Sequence, residues 1–251
     1  MIVKHVITSA LLAACLASAS PANAQWQKLL DSLGGGGASG SPGVSAVLSN
    51  EDVIAGLKEA LGQGARRAVK SLGRTDGFFR NAAVRIPVPE KLETIESALR
   101  TLKQDRYADE FVLTMNRAAE SAVPEAGAIL SDAIRSMSVD DAKRILNGPD
   151  DAATQYFRKV GEQRLTKRMR PIVSEATSRA GVTSAYKALV DKAGFAATLV
   201  GADTVDIDGY VTREALDGLF LLIAQEEKRI RADPLARSTE LLKKVFGSVR
   251  N

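Results

Sequence analysis

The stretch DRYADEFVLTMNRAAESA, residues 105–122, constrains the fold of this chain more than any other. Read as a helix, it spreads Tyr107, Phe111, Val112, Met115, Ala118, Ala119 and Ala122 over more than half of its circumference. One neighbour cannot cover so wide an apolar arc, so this helix is expected at the centre of a bundle. Its second half also carries Asn116, Arg117 and Glu120. Asn116 and Glu120 are four residues apart and share a face. On a buried face each polar group needs a partner, because an unmatched buried charge costs several kcal/mol.

The flanking sequence reads almost entirely as helix. Ser49 and Asp52 resemble a capping box, and Val53, Leu57, Leu61, Ala65, Ala68 and Leu72 follow at helical spacing up to Gly73. Arg66, Arg67 and Lys70 occupy the opposite face and read as solvated. Residues 75–89 are the longest irregular stretch of the folded part, with Asp76-Gly77 as a turn and Phe78-Phe79 as anchors into the core. Within it, residues 84–89 must be extended, since Pro87 and Pro89 bias their predecessors away from helix. Pro89 suits the start of a helix through Leu92, Ile95, Leu99 and Leu102, and Pro124 that of one through Ala128, Ile129, Ala133, Ile134 and Met137. Ser138 with Asp141 caps a short helix ending at Gly148. The longest run then extends to Gly181, with a kink expected at Pro171. Val182 to Ala193 gives another helix. Residues 195–205 read as a loop, and Thr212 as the cap of a helix through Leu216, Leu219, Phe220, Ile223, Glu227 and Ile230 that Pro234 breaks. Leu241, Leu242, Val245 and Phe246 mark a last amphipathic helix. Strand signals are nearly absent, so the expected fold is all-α, a single-domain helical bundle with one extended proline-containing segment.

The first residues read as an export signal. A basic start at Lys4 precedes an apolar run over residues 6–19, and Ala22 and Ala24 supply the small residues of a cleavage site before Gln25. Residues 1–24 are then a leader, 25–47 a short amphipathic segment with a Gly-rich linker, and 48–251 the helical domain. The expected location is periplasmic or secreted. A second reading takes Leu12-Ala13-Ala14-Cys15 as a lipoprotein signal acylated at Cys15, which would leave an unusually short leader. Cleavage before Gln25 removes His5 and Cys15, the only histidine and cysteine of the chain. A mature chain without them has no disulfide, no histidine or cysteine nucleophile, and none of the usual zinc, haem or copper ligands. No cofactor and no metal site is expected. The formal charge of +4 falls to +3 with the loss of Lys4, which implies no strong overall field. A content of 45% hydrophobic residues is ample for one core, and no segment after the leader is apolar for long enough to span a bilayer.

Three sequence features tempt a functional assignment. Residues 204–215 resemble a calcium loop, but Thr204 and Ala215 stand where carboxylates are required, so the stretch reads as a turn. Arg164, Lys167, Arg168 and Arg170, with Lys159 nearby, could meet anionic headgroups; they lack the interleaved aromatics of a nucleic-acid surface and read first as a solvated face. Glu227, Arg231, Asp233 and Arg237 form a charge-dense corner at the end of a helix, read as a structural salt-bridge site.

The phrases LKEALGQG, DGFF, IPVP, MNRAAE, AATQYF, LDGLF and EEKRIRADP occur in an order that resembles the domain of unknown function 4197 family, secreted or periplasmic bacterial proteins expected to be largely helical. The resemblance covers residues 48–247. It carries no activity, but it implies weight on Asn116, Arg117, Glu120, Thr154, Tyr156, Arg231 and Asp233 as members of its motifs. Asn116, Arg117, Glu120, Thr154 and Tyr156 are therefore taken as a candidate buried polar cluster. The leading functional expectation is non-enzymatic binding of an apolar or amphipathic envelope molecule, a lipid for example, or of a partner protein. The alternatives are a structural envelope protein and a carboxylate-based hydrolase built on Glu120.

Overall fold

A computed structural model of the chain describes residues 50–179, 181–194 and 205–232. Residues 1–49, with the stretch read as a leader and the Gly-rich segment, residues 195–204, Asp233, Pro234, Arg237 and the stretch read as a last amphipathic helix lie outside the described residues.

The described chain is built of helices: α1 (Asn50–Leu72), α2 (Glu93–Thr101), α3 (Asp105–Ala122), α4 (Ala126–Arg135), α5 (Val139–Asn147), α6 (Ala152–Arg179), α7 (Val182–Ala193) and α8 (Ile207–Ala232). Short 3-10 turns at Glu90–Leu92 and Val123–Glu125 lead into α2 and α4. No strand is formed among the described residues. Helix α3 is central: α2, α6, α7 and α8 all pack on it, and Phe111, Met115, Ala118, Ala119 and Ala122 are fully buried. It shares that position with α6 and α8, whose mutual contact is the most extensive in the bundle. Periodicity reads α1 and α8 correctly, since every apolar position expected to face inward in both is buried.

Several local expectations are corrected. Helix α8 begins at Ile207, so Thr212 lies inside it rather than at its cap, with its hydroxyl donating back to the Asp208 carbonyl at 2.7 Å. Asp206 takes the capping role, its Oδ1 accepting the Gly209 N–H at 2.9 Å. Leu102 is 65% exposed, because α2 ends at Thr101 and the chain turns through Lys103 in the left-handed region. In α4, Leu130 points inward while Ala128 is exposed. Helix α6 is unbroken through Pro171 and ends before Gly181, whose positive φ of 78° suits a residue without a Cβ.

Between α1 and α2 the chain crosses the bundle without helix. Val84 still belongs to a turn, its N–H donating to the Asn81 carbonyl at 3.0 Å, so the extended stretch starts one residue later than expected. Burial then alternates: Val84, Ile86 and Val88 are buried while Arg85 and Pro87 are exposed. Gly218 of α8 makes room for this segment, since a Cβ there would stand 2.9 Å from the Phe78 ring and 3.1 Å from Val84. The Tyr210 hydroxyl, also on α8, donates to the Pro87 carbonyl at 3.2 Å.

Two measurements follow from these contacts. The Ser138 side chain and Asp141 form a reciprocal capping box at α5, with Asp141 Oδ2 also accepting the Ser138 hydroxyl at 2.7 Å. Ser138→Ala is expected to lower stability by about 1 kcal/mol in urea denaturation. Burial, reinforced by Glu214, pushes the Tyr210 phenol from 10.0 up to about 12. A raised phenol pKa favours the protonated native state, so this contribution is complete below pH 10.0 and is lost as pH rises through about 12. Near-ultraviolet titration should show a tyrosine step near pH 12 that Tyr210→Phe removes.

Candidate functional site

Helix α3 presents Asn116 and Glu120 to the crossing segment, and both side chains serve its backbone. The Asn116 amide pairs with Ile86 as a neighbouring strand would, accepting the Ile86 N–H at 2.9 Å and donating to its carbonyl at 2.8 Å. Its second donor reaches the Val112 carbonyl at 2.7 Å. Glu120 Oε1 accepts the N–H groups of Phe78 and Phe79, both at 3.1 Å, and Oε2 accepts from Arg117 at 2.7 Å. Arg117 spans on to Asp76 at 2.7 Å, where Asp76 holds a left-handed φ of 66°. The Glu120 hydrogen bond holds the Arg117 guanidinium above its ordinary pKa; burial opposes it and Asp76 adds to it. The Phe79 ring lies beneath both Arg85 and Arg117, at 4.9 and 5.7 Å.

The other expected members lie elsewhere. Thr154 sits at the start of α6, where Glu227 of α8 caps the helix: it accepts the N–H groups of Ala153 and Thr154 at 2.9 and 3.0 Å and the Thr154 hydroxyl at 3.0 Å. Arg231 binds the same carboxylate at 2.9 Å and donates to the Ile145 carbonyl at the end of α5 at 2.8 Å. The Tyr156 hydroxyl donates to the Ala133 carbonyl of α4 at 3.2 Å, and burial pushes its pKa up. Five residues expected to form one cluster thus divide among three places. Of the charged corner, Glu227 and Arg231 come together; Asp233 and Arg237 lie outside the described residues.

Chemically, these constellations hold the fold. Glu120 is 4% exposed and engaged by three donors, so it is not placed to take a proton from a substrate. The hydrolase reading loses its basis there. Sequence reasoning missed Asp76 as the far end of the Arg117 bridge. It also missed Arg67, which leaves the expected solvated face to pair with Glu226 at 2.6 Å. Burial alone would raise the Glu226 pKa, but hydrogen bonds from Arg229 and Arg67 hold it below the ordinary value.

Open space lies on the two flanks of α4. Between α1 and α4 runs a groove of about 630 Å³, with Ala65, Val69 and Ile134 among its apolar residues and Gly62 and Gly127 leaving it unfilled. The cations along it are Lys58, Arg66, Lys70 and Arg135, against Glu59 alone. Lys58 donates to the Arg135 carbonyl at 3.2 Å, whereas Arg66 and Lys70 form no hydrogen bond or ion pair among the described residues. On the opposite flank, between α4 and α6, a wider groove of about 950 Å³ is lined by Ile129, Pro171 and Ile172 with Arg164, Lys167, Arg168 and Arg179. The basic run of the sequence is divided here: Arg170 turns away to pair with Asp206 at 2.8 Å, and Lys159 lines a separate recess beside Tyr156. Asn116, Arg117 and Glu120 line neither groove.

A family model described as "Protein of unknown function (DUF4197)" matches residues 47–247. No curated protein and no solved structure matches the chain.

Removal of either polar anchor should be severe. Glu227→Ala removes the carboxylate from the buried Arg231 guanidinium and the acceptor of two helix N–H groups, with an expected cost of roughly 3–5 kcal/mol in urea denaturation. Combining it with Arg231→Met should recover part of that loss, since the second change removes a buried charge that has lost its carboxylate. Asn116→Ala leaves both peptide groups of Ile86 unpaired, for about 2–4 kcal/mol and faster hydrogen exchange at the Ile86 amide.

Proposed function

The chain belongs to the DUF4197 family of proteins of unknown function, and from that premise we propose that it binds an anionic amphiphile in the groove between α1 and α4. The ligand class is a carboxylate or phosphate head on an apolar tail. One observation carries the reading: an unfilled groove with an apolar floor is edged by Arg66 and Lys70, two cations with no ion pair or hydrogen bond among the described residues. Basic groups that serve the fold are paired, as Arg67, Arg117 and Arg231 are. The volume of about 630 Å³ lies within the range of small-molecule sites. Each methylene buried against the floor would contribute about 0.8 kcal/mol. The leader read in residues 1–24 fits a ligand of the cell envelope, where such amphiphiles are abundant. Binding without chemistry is favoured because the most buried carboxylates, Glu120 and Glu227, are occupied by backbone N–H groups and arginines.

Gly127 supplies a clean test, because a Cβ at this position meets nothing within 4 Å. Gly127→Leu should fill the groove while stabilising α4 by up to about 1 kcal/mol through helix propensity. Isothermal titration with dodecanoate should show binding by the parent protein and at least tenfold weaker binding by Gly127→Leu and by Arg66→Glu with Lys70→Glu. Equal affinity in all three proteins, or no binding by the parent, overturns the assignment. Native mass spectrometry of protein purified from its own cells should show an added mass that organic solvent extracts.

A further inference from the structure

We propose that the face centred on α4 docks on an anionic lipid bilayer, with its two grooves meeting the headgroup layer together; this deepens the amphiphile reading by naming the source of the ligand. The placement of charge carries the inference. The two grooves lie on opposite flanks of the same ten-residue helix, separated by its width of about 10 Å. Together they are lined by eight basic and four acidic residues, an excess of four, against a formal charge of +4 for the whole chain and +3 without Lys4. The rest of the chain is therefore close to balanced, and the net positive charge resides on this face.

The fold also divides these cations by partner. Arg164 lies 3.9 Å from Asp132 and Arg179 3.8 Å from Glu175. Lys167 and Arg168 on the α6 side are exposed and form no ion pair or hydrogen bond among the described residues, as is true of Arg66 and Lys70 on the α1 side. Two unpaired cationic pairs thus bracket α4. A soluble anion needs one such pair, whereas a sheet of anionic headgroups engages both. Between them the exposed surface of α4 carries Ala128, and Asp132 and Arg135 of the same helix are paired with each other. No helix among the described residues is long and apolar enough to cross a membrane, so the contact is one of surface attachment. Salt should weaken it, since exposed charges are screened over about 8 Å at physiological ionic strength.

The test is cosedimentation of the full chain with phosphatidylcholine vesicles prepared with and without phosphatidylglycerol. Binding is expected only with phosphatidylglycerol and should fall as sodium chloride is raised. Each basic residue near an anionic surface contributes roughly fivefold in partitioning, so Lys167→Glu with Arg168→Glu should reduce vesicle binding by roughly thirtyfold or more. The same variant should bind dodecanoate as the parent does, because its changes lie across α4 from the proposed ligand groove. Loss of vesicle binding in this variant sustains the docking face even where the parent fails to bind dodecanoate, a result that would remove the groove reading alone. Vesicle binding unchanged by the double reversal, or indifferent to phosphatidylglycerol, overturns the docking proposal whatever the dodecanoate result.

Discussion

A helical bundle that lets a non-helical segment cross its interior must find partners for peptide groups that no helix satisfies. In this protein side chains of α3 provide them, and a second long-range clamp does the same for the first amides of α6. Glu120 accepts from the successive amides of Phe78 and Phe79, and Glu227 from those of Ala153 and Thr154. Each carboxylate is held by an arginine on its own helix, Arg117 three residues before it and Arg231 four residues after it. Asn116 completes the first clamp by serving both peptide groups of Ile86. The crossing segment can then lie against α8, where Gly218 admits Phe78 and Val84. A charge buried this way fixes position more than it adds stability, since an apolar replacement of matching shape would forgo the desolvation cost.

Much of this architecture is legible in the order of residues. The apolar spacing of α1 and α8, the wide arc of α3 and the box at Ser138 all follow from periods and caps that act within a few residues. The demand that Asn116 and Glu120 find partners is equally local. Their identity is not: Ile86 lies 30 residues from Asn116, and Phe78 lies 42 from Glu120. The grouping of Thr154 and Tyr156 with Glu120 fails for the same reason. Neighbours in a motif can face different elements, as Glu226 and Glu227 do, one reaching Arg67 and the other the start of α6. The Thr212 cap was displaced by a competitor, because Asp206 stands closer to the true first turn.

The grooves were illegible for a different reason. Sequence shows a basic residue but not whether a carboxylate has been brought to it. Arg66 and Arg67 are adjacent, yet only Arg67 meets Glu226. Arg168 and Arg170 belong to one run, yet only Arg170 meets Asp206. Folding sorts an apparently uniform set of cations into those consumed by the structure and those left over. Four of those left over, Arg66, Lys70, Lys167 and Arg168, stand beside α4, where small side chains leave the surface indented.

The pairing of Arg67 with Glu226 joins residues 159 positions apart, and the helices that carry them are the first and last of the described chain. Helix α1 therefore lacks one of its packing surfaces until α8 has been synthesised. The cap of α6 waits as well, because its carboxylate arrives on α8, 74 residues after the Ala153 amide it receives. Closure of such distant pairs is entropically late and slows folding. A ribosome-bound fragment ending before residue 207 would have no means of completing either junction, so the native topology is reached only after most of the polypeptide exists.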